Sequence, residues 1–312
     1  MSIDVEDYFQ IEAAYQAVGP DRWNDWPSRV ERNVDLLLEL FARRGQHGTF
    51  FILGSVAKRF PHIPKQIADA GHEVGSHGTM HDRLHRLNAD TFRADLAESR
   101  KVLQDTSGQE VIGYRAPTFS VTRATRWAVD VLREEGFVYD SSVFPVVHPA
   151  YGVPDAPNRP YWLKADSSDD ASAEAPATND EAASLGAPGD ADRLLEIPPL
   201  TWRTLGRNVA VAGGGYFRLL PLWFMKRGLA QAALERRPAV LYFHPWEFDP
   251  DMPRLPLGRV GRIRTYTGLA SAESKLEHIM TQPGDWRPIR DCLDDYRRIA
   301  HDTGEYTLTG AA

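Results

Sequence analysis

The sequence predicts an α/β fold built on parallel strands, and three observations carry that reading. Short runs rich in β-branched and aromatic residues alternate with stretches of helical periodicity through most of the chain. Polar residues with useful chemistry, Asp4, His77, Arg115, Asp140 and His244, each stand at the end of such a run. No G-x-G-x-x-G follows the first run, so a dinucleotide fold has little support. The pattern leaves an open doubly wound sheet or a (β/α) barrel.

Taken in order, Ser2 to Val5 reads as a strand followed by the acidic pair Glu6-Asp7, and Tyr8 to Asp25 as an aromatic surface loop. Ser28-Arg-Val-Glu31 has capping-box spacing before a helix whose apolar face is Val30, Val34, Leu37, Leu38 and Phe41, stopped at Gly45. Thr49 to Leu53 is a buried strand, Ser55 to Ala70 is helical with breaks at Pro61 and Pro64, and Glu73 to Ser76 is a strand ending at His77. Asn88 caps a helix carrying Phe92, Leu96 and Leu103. Strands are expected at Val111–Tyr114, Phe137–Tyr139, Leu194–Ile197 and Ala239–Phe243, and helices at Ser120–Glu135, Pro221–Glu235 and Ser271–Met280.

The 312 residues are 42% hydrophobic and 25% charged, ordinary for a globular chain. A single cysteine, Cys292, excludes a disulfide framework or a cysteine-based metal cluster. The net charge is -7, and residues 165–192 hold eight acidic groups without one Lys or Arg, so the remainder is near neutral at -7 + 8 = +1. That balance points away from nucleic acid and from a polybasic membrane module. Residues 165–192 are Ala, Ser, Asp and Pro with almost no large apolar side chain, and are expected to form a disordered acidic insertion. No apolar run is long enough to span a membrane, and the N-terminus shows no signal-peptide apolar region, so a cytoplasmic location is expected. The domain expectation is one unit over residues 1–290 and a C-terminal tail at 291–312.

The chemistry gathers around Gly75-Ser-His-Gly-Thr-Met-His81. His77 and His81, four residues apart, can face one point if the backbone makes a helical turn or a tight loop. With no cysteine nearby, the third ligand of a metal site must be a carboxylate, and Asp4, Glu6 and Asp7 are the candidates. In an extended strand Asp4 and Glu6 share a face, and Asp7 points away unless the chain turns. Two histidines, one carboxylate and an open position suit zinc, with iron, cobalt or nickel as alternatives.

Five motifs in register then carry a resemblance: Ile3-Asp-Val-Glu-Asp7, Ser76-His-Gly-Thr-Met-His81, Tyr114-Arg-Ala-Pro-Thr-Phe119, Tyr139-Asp-Ser-Ser142 and Leu241-Tyr-Phe-His244. Together they resemble the polysaccharide deacetylases with a NodB homology domain, carbohydrate esterase family four. Asp-Val-Glu-Asp-Tyr-Phe9 and His244-Pro-Trp-Glu-Phe-Asp249 resemble the subgroup of exosortase-linked exopolysaccharide loci. The resemblance implies a distorted (β/α) barrel and metal-dependent removal of N-acetyl, or sometimes O-acetyl, groups from the sugars of a polysaccharide. Carried over by position, Asp4 is the base, His77 and His81 are metal ligands, and Arg115 pairs with Asp4. His244 is the general acid and Asp140 its orienting partner. The first motif departs from the common Thr-Phe-Asp-Asp-Gly pattern; related Asp-Val-Asp variants use the third position as ligand, which favours Glu6 and leaves Asp7 open. Pro117, Phe119 and Trp246 are the expected substrate-binding residues, since flat apolar side chains suit pyranose faces. A divalent cation, zinc foremost, would lower the pKa of water and polarise the acetyl carbonyl, and an acid would protonate the leaving amine. Two other readings share these residues: hydrolysis of small cyclic amides on the same fold, and a non-catalytic carbohydrate-binding relative.

Overall fold

The computed structural model describes residues 1–148, 150–164 and 193–309. The expected acidic insertion at 165–192 lies outside the described residues.

The first strand, β1 (Ser2–Val5), leads through two 3₁₀ turns, Glu12–Ala14 and Pro20–Asp25, into helix α1 (Val30–Arg44). Gly45 ends α1 in the left-handed region with φ 59°, as a helix C-terminus favours. β2 (Thr49–Ile52), α2 (Gly54–Arg59), α3 (His62–Asp69) and β3 (Glu73–Ser76) follow. The break falls at Phe60-Pro61; Pro64 sits in the first turn of α3, where its missing N–H costs nothing. α4 (Ala89–Ser107) starts on a capping box between Asn88 and Thr91. Next come β4 (Gly113–Tyr114), α5 (Ala128–Glu134), β5 (Tyr139–Asp140), β6 (Tyr161–Lys164) and β7 (Leu194–Glu196). The hairpin β8 (Thr201–Thr204) and β9 (Arg207–Ala210) precedes α6 (Gly214–Leu219), α7 (Trp223–Leu234) and β10 (Tyr242–Phe243). The chain closes with α8 (Arg259–Tyr266), α9 (Ala272–Met280), α10 (Leu293–Thr303) and β11 (Glu305–Thr307).

Among the described residues nine strands form one sheet in the order β10-β1-β2-β3-β4-β5-β7-β6-β11, parallel at every pairing except β6 with β7. Two isolated parallel bridges, Pro199 with Val240 and Gly213 with Tyr242, bring the chain after β7 alongside β10. The sheet is thus drawn round toward itself by single bridges rather than a ladder. Pro198 and Pro199 explain part of this, because neither has an N–H to extend a ladder. Close approach at Gly213 also requires glycine: a Cβ there would lie 1.6 Å from the Tyr242 carbonyl oxygen. Residues 291–309, expected as a tail, hold α10 and β11, and β11 extends the sheet beside β6. Among the described residues no helix is long and apolar enough to cross a membrane.

Alternation along the strands decides what faces the site. Ile3, Val5, Phe50 and Ile52 pack with the inward faces of α1 and α4 in the main core. Their neighbours Ser2, Asp4 and Phe51 point to the opposite face, where Phe51 joins Tyr139, Leu195, Ile197 and Val240 in a second cluster. A third cluster packs Tyr8, Phe9 and Trp23 against Trp246, Met252, Leu255 and Leu257 beside the C-terminal end of β1.

Candidate active site

Asp4 lies on β1 and Glu6 two residues on, so the alternation of an extended chain sends both carboxylates the same way. His77 follows β3 directly, and His81 stands in the irregular segment after it rather than on a helix. That segment bends through Gly78, at φ 74°, and through His81 itself, at φ 58°. A non-glycine residue in the left-handed region is strained, and it persists here because the neighbours fix it. Thr79 N–H donates to both Asp95 carboxylate oxygens at 3.0 and 3.2 Å, and Gly54 N–H donates to the Gly78 carbonyl at 2.8 Å.

Glu6, His77 and His81 are buried and each offers a ligand atom within 4.8 Å of the others. His81 Nε2 lies 2.8 Å from Glu6 Oε2. His77 Nδ1 donates to the Arg115 carbonyl at 2.8 Å, which fixes the tautomer and leaves Nε2 with its lone pair for a cation. His81 Nδ1 is buried with no hydrogen-bond partner among the described residues. Burial brings the His77 pKa down to about 4, so the ring is neutral, as a ligand must be. Burial alone would raise the Glu6 carboxyl, but His81, with His244 and His77 behind it, outweighs this and holds it at about 2. Two imidazole nitrogens and a carboxylate oxygen fit a divalent first-row cation.

The same geometry separates Glu6 from Asp7. The chain turns after Val5, and the Asp7 carboxylate accepts from Ser28 Oγ at 2.5 Å, Arg29 N–H at 3.1 Å and Tyr8 N–H at 3.0 Å. It therefore opens the approach to α1 and lies outside the metal group. The capping box expected at Ser28 is replaced by this arrangement, since the Ser28 hydroxyl is donated to Asp7.

Arg115 Nη1 donates to Asp4 Oδ1 at 2.7 Å and to Ser2 Oγ at 2.6 Å. Its Nε and Nη2 are held by Ser141, at the carbonyl and the hydroxyl. His244 Nε2 stands 3.9 Å from Asp4 Oδ2 and 3.8 Å from Glu6 Oε1.

Asp140 does not orient His244. Its carboxyl receives the Ser142 hydroxyl and stands beside Glu196 on the neighbouring strand, and burial raises its pKa to about 6. The partner of His244 is Glu247: the ring Nδ1 and the His244 backbone N–H both donate to Glu247 Oε2, at 3.1 and 3.0 Å. Burial works against a charged imidazole here, but Glu247 first, then Glu6 and Asp4, raise its pKa to about 9. The spacing His244-Pro-Trp-Glu247 carries the signal: at the start of a short 3₁₀ turn a carboxylate three residues on reaches back to the backbone N–H of His244.

The expected substrate platform is not an open surface. Trp246 is 6% exposed; its indole N–H donates to Glu6 Oε1 at 3.1 Å and its ring stacks on His244 at 5.5 Å, so it holds Glu6 and His244 in place. Pro117 and Phe119 are buried in a strained turn, with Thr118 at φ 57° and Phe119 at φ 51°. Phe119 packs edge-on against Tyr242 at 4.7 Å and beside Phe144.

Comparisons with known proteins give several likenesses. Residues 22–136 match the family Polysaccharide deacetylase, and residues 178–294 match a domain of unknown function, DUF3473. A peptidoglycan deacetylase of Helicobacter pylori is 31% identical over 140 residues, 43% of this chain and 47% of that protein. A peptidoglycan-N-acetylglucosamine deacetylase of Bacillus cereus is 30% identical over 95 residues, 30% of this chain and 34% of that one. The chain thus spans half or less of the length of these relatives. A crystal structure from Mycobacterium smegmatis, assigned as a polysaccharide deacetylase, aligns over 100% of this chain and 93% of its own, with TM-score 0.62 and 21% identity. Puue allantoinase aligns over 86% and 73% with TM-score 0.51 and 17% identity. Residues 22–136 thus resemble a polysaccharide deacetylase domain, and the whole chain shares the fold of the Mycobacterium smegmatis structure.

Proposed function

We propose that the protein hydrolyses the N-acetyl groups of amino sugars in a polysaccharide, with a divalent cation held by Glu6, His77 and His81. One observation carries the reading: the two histidines and Glu6 form a buried ligand group flanked by an Arg-paired Asp4 and by His244. The peptidoglycan deacetylases it resembles support an amino-sugar polymer as substrate. The Asp-Val-Glu-Asp-Tyr-Phe and His-Pro-Trp-Glu-Phe-Asp stretches favour an exopolysaccharide over peptidoglycan.

When bound, the cation supplies an acidified water and polarises the acetyl carbonyl, and zinc suits the donor set best. Asp4 takes a proton from the attacking water, its carboxylate oriented by Arg115. His244 protonates the sugar nitrogen as the C–N bond breaks, giving a free amine and acetate. Trp246 fixes Glu6 from the side opposite His81.

Elemental analysis of the purified protein, with acetate release measured on chitin oligosaccharides, poly-N-acetylglucosamine and peptidoglycan, tests the proposal. One divalent ion per chain and acetate from the first two substrates is the expected result. Protein that holds its metal yet releases acetate from none of them overturns it.

A further inference from the structure

Within residues 178–294, matched by the domain of unknown function, Arg218, Glu247 and His244 form one line of side chains into the centre. His244 is held by Glu247 Oε2, and Glu247 Oε1 accepts from Arg218 Nε at 2.7 Å. The side chains of Arg218 and Glu247 are 2% and 0% exposed. Arg218 gives its other N–H groups to the carbonyls of Arg264 at 2.8 Å, Thr265 at 3.1 Å and Thr267 at 2.8 Å. These lie where α8 ends, so a guanidinium fills positions whose carbonyls lack helical partners. The base of Arg218 is fixed too. Lys275 Nζ donates to the Phe217, Arg218 and Leu220 carbonyls at 3.1, 3.0 and 3.2 Å. Gly268, at φ 82°, lets the Arg218 carbonyl come close; a Cβ there would lie 2.6 Å from that oxygen.

We propose that Glu247 and Arg218 are positioning residues for His244, so that the segment of unassigned function is the acid half of the catalytic centre and not a separate module. The proposal rests on the deacetylase reading above. Its physical content is orientation. An imidazole turns freely about its side-chain bonds unless something holds it. Glu247 holds both the ring and the backbone N–H of the same residue, which aims Nε2 at Asp4 and Glu6. Arg218 in turn prevents the Glu247 carboxylate from rotating away. The proton needed by the leaving nitrogen then sits on Nε2, on the side where the amide C–N bond breaks; the nitrogen keeps the bonding electron pair and takes that proton.

A positioning role and a merely structural role differ in one measurable way. An amide leaves only if its nitrogen is protonated, whereas the nitrophenolate of p-nitrophenyl acetate leaves without a proton. The full chain is prepared as wild type, E247Q, R218M and R218K, and each is assayed on chitin oligosaccharides and on p-nitrophenyl acetate, with metal content measured alongside. Because the ratio of the two turnover numbers is taken within each variant, partial unfolding cancels. In E247Q and R218M the amide-to-ester ratio is expected to fall on the order of 100-fold at wild-type metal content, mainly through kcat. R218K, which keeps the charge, should recover part of the loss. Equal losses on both substrates, or an unchanged ratio, overturn the proposal while leaving the deacetylase reading intact. A wild type that cleaves neither substrate overturns both.

Discussion

Arg115 and Asp4 are held 2.7 Å apart where neither side chain is more than 3% exposed. Such a pair aims a carboxylate, since Arg115 is itself pinned by Ser2 and by the carbonyl and hydroxyl of Ser141. Asp4→Asn keeps the shape and an acceptor oxygen for Arg115 but removes the base. Acetate release should fall at least about 100-fold with metal content unchanged. Activity within a few-fold of wild type would show that another group accepts the proton.

The roles of Glu6 and Asp7 separate cleanly in experiment because their carboxylates face different ways. Glu6→Ala, or His77→Ala with His81→Ala, should leave the protein without stoichiometric metal after gel filtration in buffer free of added ions. Asp7→Ala should retain it. What Asp7→Ala loses instead is the acceptor for Ser28 and the Arg29 N–H at the approach to α1, a loss of about 1–2 kcal/mol by analogy with helix caps. Thermal denaturation together with elemental analysis reads both. Metal lost from Asp7→Ala, with Glu6→Ala unaffected, would reverse the assignment.

Much of the site could be read from the sequence because alternation in short strands is a local property. Asp4, His77, Arg115 and His244 stand at or just beyond the ends of runs whose apolar residues identify themselves, so their convergence follows from parallel pairing. What stayed hidden depends on contacts distant in the chain. The turn that diverts Asp7 is fixed by Ser28, and the Ser28 hydroxyl is spent there rather than on its own helix. Arg218 finds Glu247 and the end of α8 only after α6, α8 and the turn at Pro245 have packed. β11 is three residues long, and its pairing with β6, far earlier in the chain, makes it a strand. α8, with Arg259, Arg262 and Arg264, buries Thr265 and shows no apolar stripe to announce it.

Asp140 and Glu196 are neighbours on paired strands, and each keeps one buried carboxyl oxygen without a hydrogen-bond partner among the described residues. Burial raises the Asp140 pKa from 3.8 to about 6, and Glu196 rises further through burial and the Asp140 charge. For an acid whose folded pKa is raised, the folded state binds the proton more tightly. Its stabilising effect is therefore present at low pH and lost as pH rises from about 4 through 6. Asp140→Asn supplies a neutral donor to Glu196 and an acceptor to Ser142. It should gain roughly 1–3 kcal/mol over wild type above pH 6 and little at pH 4. Denaturant midpoints at the two pH values measure this, and a constant difference between them would count against a raised Asp140 pKa. Its amide-to-ester ratio should match wild type, because His244 is oriented by Glu247.

His72 gives a pH dependence of the opposite sense. It is 3% exposed, its ring lies 4.8 Å from Phe50 and 5.1 Å from Phe41, and its Nδ1 accepts the Gly48 N–H at 3.1 Å. Protonation would place a charge among these rings and convert the accepting nitrogen to a donor facing another N–H. Burial, with His47 nearby, lowers its pKa from 6.5 to about 4. A base with a depressed folded pKa contributes stability that is complete above about 6.5 and is lost as pH falls toward 4. The difference amounts to roughly 3 kcal/mol, from 1.36 kcal/mol per pH unit. His72→Asn keeps an oxygen near the position of Nδ1 to accept from Gly48 but does not titrate. Urea unfolding at pH 7, 5.5 and 4 should show wild type losing stability more steeply than the variant by about that amount. Parallel curves would mean that His72 stays unprotonated, or is protonated, equally in the folded and unfolded chain.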